Sequence, residues 1–462
     1  MKKNSMNVII LTLCLGLWMG SGLRSIADET AALTTRNSPE WLKQSVVYEV
    51  FPRNFSEAGD LKSITARLDE LEDLGVNILW LMPIHPTGEK FKKGTLGSPF
   101  AVRDFYAINP DYGTTNDFRE LVDAAHGHHM RVVMDVVAGQ TSWDSVLMQH
   151  PDFYMKDTNG AIVPPDPAWK DVAGLNYDNP EVRHYMINMM KYWLGDFHVD
   201  GFRCDVAPNV PLDFWEQARS ELEQVNPQVV ILADAGARPE LLTNAFDVDS
   251  SWSMNFALDL VMTGAQPASY IQDSWQHTQA QFPAHALHLR FTDNHEEPRA
   301  IARYGMDGAL AAQVLMLTLD GVPMFYNGME AGDATESADP ALFEKLPIFW
   351  HPGGRPPLRA IYHDLIQLRR SNPALCEGSV RWIVNSQTNS VLSFLRQDDH
   401  DQFLVLINLS GTSMSGTLDL TDPSGFEPVS IANRPPPLDS SLPDFQLVSH
   451  GWFIFHRKLP SQ

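Results

Sequence analysis

Three strand-like runs in this chain each end in an acidic residue, and this pattern constrains the fold more than any other. The runs occupy residues 199–205, 229–234 and 287–296. Side chains alternate along a strand, so Arg203 and Asp205 share one face, where the cation can keep the carboxylate ionised. Acidic residues at the ends of several strands predict an active site at one rim of a parallel barrel. For the single pair, the alternative is a buried ion pair that only closes the barrel.

Strand-like and helix-like segments alternate along most of the chain, which predicts a parallel sheet covered by helices. An amphipathic helix is expected at 61–74, where apolar residues recur at helical spacing until Gly75. A length of 462 residues accommodates a barrel of about 250 residues or more and a small second domain. We therefore expect an α/β fold, a (β/α)8 TIM barrel. Its eight strands are predicted at 45–51, 76–83, 130–137, 199–205, 229–234, 245–249, 287–296 and 322–326.

Two segments depart from this alternation. Residues 141–174 are too long for an ordinary strand-to-helix loop, which predicts a short insertion after strand three that crosses the active-site rim. Beyond residue 370, short strands separated by turn residues predict a C-terminal all-β sandwich. The expected domains are a barrel at 40–370, with 141–174 as its inserted subdomain, and a C-terminal β domain at 376–462.

The N-terminal segment 1–27 has the features of a signal peptide. Two lysines precede an apolar run at 8–19, and a small-residue cleavage site follows at 25–27. The run is too short to span a bilayer, although a membrane anchor is the alternative reading. We expect a secreted or periplasmic protein with no stable membrane association after cleavage. The net charge of −23 repels nucleic acid, so no nucleic-acid partner is expected.

Six motifs occur in the order in which one enzyme family carries them. Among them are GFRCD at 201–205 and GVPMFYNGME at 321–330. Through these motifs the chain resembles the α-amylase family of retaining α-glycoside hydrolases. The resemblance covers most of residues 46–370 and leaves the substrate open. The matching segments are 46–56, 104–113, 135–137, 201–205, 294–295 and 321–330.

The resemblance implies catalytic roles for three acidic residues. Asp205 matches the family's nucleophile, and a second carboxyl about 5 to 5.5 Å away protonates the leaving oxygen in such enzymes. Asp234 stands in the place of a glutamate acid and is one methylene shorter, whereas Glu296 stands in the place of a stabilising aspartate and is one methylene longer. Arg203 matches the arginine partner of the nucleophile, and His295 matches a histidine that hydrogen-bonds the sugar. Either the two changes in side-chain length compensate one another, or they show that the protein has lost catalytic function.

Further positions are expected to contact the sugar or to affect metal binding. By the resemblance, Phe100 replaces a tyrosine that stacks on the sugar ring, and Gln140 replaces a sugar-binding histidine. Trp143 and Trp169 lie in the insertion and are expected to contact substrate.

The calcium site of many relatives is expected to be absent. The resemblance places Gly139 where those relatives have an asparagine that ligates calcium, and Asn209 where they have a histidine whose carbonyl can do so. Without a side-chain oxygen at Gly139, the site loses a ligand. We therefore expect neither a metal nor a cofactor.

Taken with the signal segment, the motifs predict an exported α-glycoside hydrolase that acts on α-1,4-linked glucans or maltooligosaccharides by a retaining double displacement. Two alternatives stay open. A carbohydrate-binding paralogue with little or no catalysis is compatible with the substituted site positions. A transglycosylase would use the same covalent intermediate, which the sequence does not separate from a hydrolase. The substituted positions are Phe100, Gly139, Gln140, Asp234 and Glu296.

Overall fold

Eight parallel strands close into a barrel in the computed structural model, which describes residues 34–350, 358–432 and 441–460. Each strand pairs with the next, and the last pairs with the first. The predicted TIM barrel is therefore confirmed, whereas the predicted signal peptide at 1–27 lies outside the described residues. The strands are β1 (Val47–Val50), β2 (Ile78–Leu81), β3 (Arg131–Val136), β4 (Gly201–Cys204), β5 (Val230–Ala233), β6 (Val248–Asp249), β7 (Leu287–Arg290) and β8 (Val322–Tyr326).

Helices connect the strands, and some of them begin or end at signals that can be read from the sequence. Thr115–Gly127 starts at a capping box, in which Thr114 and Asp117 each accept a hydrogen bond from the other's backbone N–H. Gly75, with φ 99°, ends a helix as predicted. No described helix is long and apolar enough to cross a membrane. The α-helices are Glu40–Lys43, Pro52–Phe55, Leu61–Thr65, Leu68–Leu74, Thr115–Gly127, Pro180–Asp196, Leu212–Glu223, Leu241–Asn244, Trp252–Met262, Ser269–Gln281, Ala300–Thr318, Asp339–Phe343, Leu358–Arg370 and Pro373–Cys376.

The helix predicted at 61–74 is two helices, Leu61–Thr65 and Leu68–Leu74. The chain leaves helical geometry at Arg67, with φ −116° and ψ 10°. The Arg67 guanidinium lies 3.8 Å from the ring centroid of Trp350, a residue distant in sequence. Apolar side chains recur at helical spacing on both sides of the break, so their period cannot show it.

Alternate strand residues fill the barrel interior, and this alternation positions the site. On β3, Val133 belongs to the interior apolar cluster, so Asp135 lies on the same face two residues later. The strand register pairs Asp135 with Arg203 on β4. Gly201 opens β4 because the backbones approach closely there, and a Cβ would lie 2.1 Å from the Val230 carbonyl oxygen. Charged residues thus collect at the carboxyl end of the barrel.

The segment predicted as an insertion leaves the barrel after β3. Its ends pair with each other, because Gln140–Ser142 forms an antiparallel ribbon with Val172–Gly174. Two short 3-10 helices, Val146–Gln149 and Pro151–Phe153, lie between them. The ribbon ties the excursion to the same rim that carries the strand-end acids.

Within the described residues, the C-terminal part from 379 onward is all-β, as predicted. Five antiparallel strands form one sheet and two form a ribbon, and both contribute to one apolar cluster, with Leu404 from the sheet and Phe445 from the ribbon. Arg396 joins the sheet to the barrel by donating to the Thr318 carbonyl at 2.7 Å. The result is a sandwich of two unequal layers. The sheet contains Ser379–Trp382, Val391–Gln397, Asp401–Asn408, Glu427–Pro428 and Trp452–Lys458, and the ribbon contains Met414–Thr417 and Asp444–Leu447.

Candidate active site

The Arg203 guanidinium is the centre of the strand-end cluster. Its Nη1 lies 3.0 Å from both oxygens of Asp135 and 3.1 Å from Asp205 Oδ1, and its Nη2 lies 2.8 Å from Asp234 Oδ2. The Arg203 side chain is 2% exposed. One buried cation therefore contacts three carboxylates from three neighbouring strands, whereas the shared face of Arg203 and Asp205 predicted only the contact between these two residues.

Asp205 lies just beyond β4 and is almost entirely buried. Burial raises the pKa of its carboxyl to about 8, although Arg203 opposes this effect. Repulsion from Asp135 and Asp234 adds to the rise. The pull of Arg203 is therefore outweighed, contrary to the expectation from the sequence that this cation keeps Asp205 ionised.

Asp234, beyond β5, is enclosed by donors. Its Oδ1 accepts from Trp252 Nε1 at 2.9 Å and from Ser250 Oγ at 3.1 Å. Its Oδ2 accepts from Val206 N at 3.3 Å and pairs with Arg203 Nη2 at 2.8 Å. Burial alone would raise the pKa of this carboxyl, but Arg203 and the hydrogen bonds outweigh burial and hold the pKa below its ordinary value.

His295 lies opposite, in the loop after β7, between two acids. Its Nδ1 is 2.5 Å from Glu49 Oε1, and its Nε2 is 3.6 Å from Glu296 Oε1. Burial would lower the pKa of the imidazole, but Glu49 and Glu296 raise it to about 10. His295 is therefore an imidazolium, and its buried Nε2 has no hydrogen-bond partner among the described residues. This N–H can donate to a ligand in the cleft.

A cavity of about 170 Å³ opens above the cluster. Asp205 and Glu296 line it together with three predicted substrate residues, Phe100, Gln140 and Trp169. The Phe100 ring lies 5.3 Å from the His295 ring, centroid to centroid. The structure therefore brings most of the predicted site residues to one place.

Trp143 is placed differently. Its Nε1 donates to the Lys170 carbonyl at 3.0 Å, and its ring meets Phe91 edge-on at 6.0 Å between centroids. Among the described residues, Trp143 is not part of the cavity lining. Phe91 is 64% exposed, so the pair is a separate apolar surface on the insertion side.

The barrel and its cluster agree with the sequence comparisons. Residues 39–161 and 167–347 match the family model described as alpha amylase, catalytic domain. The chain belongs to the alpha-amylase family. A solved structure of a maltogenic alpha-amylase from Thermotoga neapolitana is 31% identical, with a TM-score of 0.78, and the alignment covers 91% of this chain and 97% of that one.

Curated relatives in the alpha-amylase family are more distant. An alpha-amylase of Haloarcula japonica is 26% identical over 84% of this chain and 59% of its own length. An intracellular maltogenic amylase of Bacillus subtilis is 27% identical over 81% of this chain and 70% of its own length. The chain therefore matches only part of these longer relatives.

Two buried acids of the site were not assigned from the sequence. Asp135 binds Arg203 and also accepts from Trp80 Nε1 at 3.2 Å, and burial raises its pKa to about 6 against the pull of Arg203. Glu49 holds His295 from β1. Asp135 had a sequence signal, because it interrupts an apolar strand at an interior position. Glu49 had the same signal, but its partner lies 246 residues away.

Gly139 and Asn209, the two positions that the family resemblance implies for a calcium site, lie side by side. A Cβ built on Gly139 would be 3.8 Å from Asn209 Cβ. The Gly139 carbonyl already accepts from Leu175 N at 3.0 Å, and Gly139 has no side-chain oxygen to offer. These residues do not fit the usual calcium ligand set. The absence of calcium stays a prediction.

Proposed function

We propose that this alpha-amylase family member hydrolyses α-linked glucans with Asp205 as nucleophile. The observation that carries the proposal is the position of Asp205, which is bound to the buried Arg203 at 3.1 Å and faces a cavity shared with a second acid, Glu296. A nucleophilic carboxylate and a nearby proton-carrying carboxyl are what retaining glycoside hydrolysis requires. The relatives' names, all amylases, support the same class of reaction.

The proposed substrate is an α-1,4-linked glucan or a maltooligosaccharide. Phe100 and Trp169 offer flat apolar surfaces to the faces of glucose rings, and Gln140 offers an amide to their hydroxyls. The His295 N–H, which has no partner among the described residues, can donate to a hydroxyl of the sugar next to the scissile bond.

The reaction would proceed in two displacements. Asp205 attacks the anomeric carbon while the bond to the glycosidic oxygen breaks and that oxygen receives a proton from a second carboxyl. Water then attacks the same carbon, releases Asp205, and returns a proton to the second carboxyl. From the sequence, Asp234 is the candidate for this proton donor and Glu296 for a stabiliser of the transition state.

Export is part of the proposal. It rests on the signal features of residues 1–27, which lie outside the described residues. A secreted or periplasmic enzyme would meet polymeric or oligomeric glucans outside the cytoplasm. N-terminal sequencing of the protein recovered from the culture medium or periplasm tests this, and a chain that retains residue 1 inside the cell would contradict it.

The deciding experiment is turnover of an aryl α-maltoside by the mature protein and by Asp205→Asn. The variant should lose at least about a thousandfold in kcat, because nothing replaces the nucleophile. Asp399→Asn is the matched control, since Asp399 is exposed in a turn of the C-terminal domain. Equal rates for parent and Asp205→Asn would refute the proposal, and binding of maltooligosaccharide without any turnover would favour a non-catalytic paralogue.

The products separate hydrolysis from transglycosylation. A hydrolase should release maltose with retained anomeric configuration, which proton NMR of the first product reports. Longer oligosaccharides appearing early in the reaction would instead identify a transglycosylase.

A further inference from the structure

The carboxylate of Asp234 is held by several hydrogen-bond donors, whereas that of Glu296 has few contacts. This difference indicates which of the two carries the proton. We infer that Glu296, and not Asp234, donates the proton to the leaving glycosidic oxygen. The inference rests on the proposed function and reassigns roles within that site.

Asp234 has no acceptor position left for a proton. An ionised carboxylate offers about four lone-pair positions. In Asp234, four donors occupy these positions, two at each oxygen. They are the Trp252 indole, the Ser250 hydroxyl, the Val206 N–H and the Arg203 guanidinium. A proton on either oxygen would displace a donor, and the arginine cannot give up its own proton. Asp234 is therefore built to stay ionised throughout the reaction.

The Glu296 carboxylate is held far less firmly. Its side chain is 41% exposed, against 9% for Asp234, and it lines the same cavity as Asp205. In the described part of the chain, Asp234 does not line this cavity. The ion-pair partner of Glu296 in the described part of the chain is His295, at 3.6 Å, which is longer than a hydrogen bond.

The backbone, in contrast, is fixed where Glu296 begins. Asn294 Oδ1 accepts from Glu296 N at 2.9 Å and from Glu297 N at 2.8 Å. A fixed backbone and a long, free side chain let the carboxyl reach into the cleft from a defined origin. The same arrangement then accounts for both changes in side-chain length, the methylene that Glu296 gains and the methylene that Asp234 lacks relative to the family. The shorter acid pairs with Arg203, and the longer one lines the cavity.

The proton balance closes with Glu296 in this role. In the first displacement the Glu296 O–H proton passes to the glycosidic oxygen as that oxygen leaves the anomeric carbon, and Asp205 forms the new bond to this carbon. In the second, the Glu296 carboxylate takes a proton from water as the water oxygen displaces Asp205. Asp234 is then a positioning residue, which acts on Asp205 through Arg203.

The test uses two substrates that differ in their need for a proton donor. Fluoride leaves α-maltosyl fluoride without protonation, whereas the glucose oxygen of maltotriose does not leave without it. Glu296→Gln should lower kcat/KM for maltotriose by about a hundredfold to ten-thousandfold and for the fluoride by less than about tenfold. Asp234→Asn should lower both rates by a similar factor, because it disturbs the arginine that holds the nucleophile.

Glu297→Gln is the matched control. Glu297 is adjacent in sequence and pairs with Arg303 at 3.6 Å, away from the described cavity lining, so both rates should stay near those of the parent. A second readout is independent of the absolute rate. Glu296→Gln should change the pH dependence of maltotriose turnover and leave that of the fluoride as in the parent, because only maltotriose needs the donor proton.

A selective loss of maltotriose turnover in Asp234→Asn, with Glu296→Gln affecting both substrates alike, would overturn the inference and restore the roles implied by the family resemblance. That outcome would leave the proposed function intact. If the parent protein turned over neither substrate, the proposed function itself would fail, and the inference with it.

Discussion

The active-site cleft has a floor and a wall that are built differently. The floor is the buried ion-pair group at the ends of β3, β4 and β5, namely Asp135, Arg203, Asp205 and Asp234. The wall is the group of partly exposed residues that line the cavity above it, namely Phe100, Trp169 and Glu296.

The floor is rigid because every member is bound to another. Charged contacts of 2.8 to 3.1 Å join the floor, and its side chains are nearly inaccessible to solvent. The wall residues make fewer charged contacts and are more exposed to solvent. Orientation of the nucleophile and contact with the sugar are therefore carried out by different parts of the cleft. Changes in the floor should therefore affect both stability and rate, and changes in the wall should affect rate or binding alone.

Arg203→Met should have the largest effect. It leaves three buried carboxylates without their cation, which costs about 3 to 5 kcal/mol of unfolding free energy. It should also abolish turnover of maltotriose. Urea unfolding and initial rates measure the two effects, and Arg238→Met, which removes an exposed ion pair, should cost less than about 1 kcal/mol. Similar stability losses in the two variants would contradict a special role for the floor.

Asp205→Asn should stabilise the folded protein at alkaline pH. The folded-state pKa of Asp205 is raised to about 8, above an ordinary value near 4, so the native state binds this proton more tightly than the unfolded state does. Ionisation therefore removes stability as pH rises from about 4 to 8. The neutral asparagine escapes this loss and should gain about 1 to 2 kcal/mol at pH 8 and little at pH 4. A gain that is independent of pH would show that repulsion in the floor is not its source.

Trp169→Ala should act on binding alone. Loss of one aromatic face should raise KM for maltotriose about twofold to tenfold and change the unfolding free energy by less than about 0.5 kcal/mol. Trp143→Ala provides the comparison, because Trp143 lies with Phe91 outside the described cavity lining, and its KM effect should appear only with longer oligosaccharides. An equal rise in KM for maltotriose in the two variants would show that both tryptophan rings belong to the wall.

Chelation should have the smallest effect. Because Gly139 offers no side-chain oxygen beside Asn209, a chelator should shift Tm by less than about 1 °C. A loss of several degrees that calcium restores would reveal a metal site supplied by other residues.

Much of the barrel could be predicted from the chain itself, because its signals are local. Strand and helix periods, the glycine that ends a helix and the alternation that places Arg203 and Asp205 on one face all depend on neighbours in sequence. The break within 61–74 was not predictable, since the apolar period continues across it. The sixth strand was predicted at 245–249 and is present as β6, but it forms over only two residues, so its bounds depend on its pairing with β5 and β7.

The active site, like the fold, has some features that depend on neighbours in sequence and others that depend on residues distant in sequence. The sequence determined which acids stand at strand ends and that a cation accompanies one of them. The tertiary structure decided how firmly each acid is held. The register of β3 against β4 brings Asp135 to Arg203, and barrel closure brings Glu49 to His295. Donors from separate segments enclose Asp234, whereas Glu296 has one ion-pair contact, with His295 at 3.6 Å, among the described residues. A carboxylate's readiness to carry a proton depends on charges and donors within a few ångströms, and folding alone sets those neighbours.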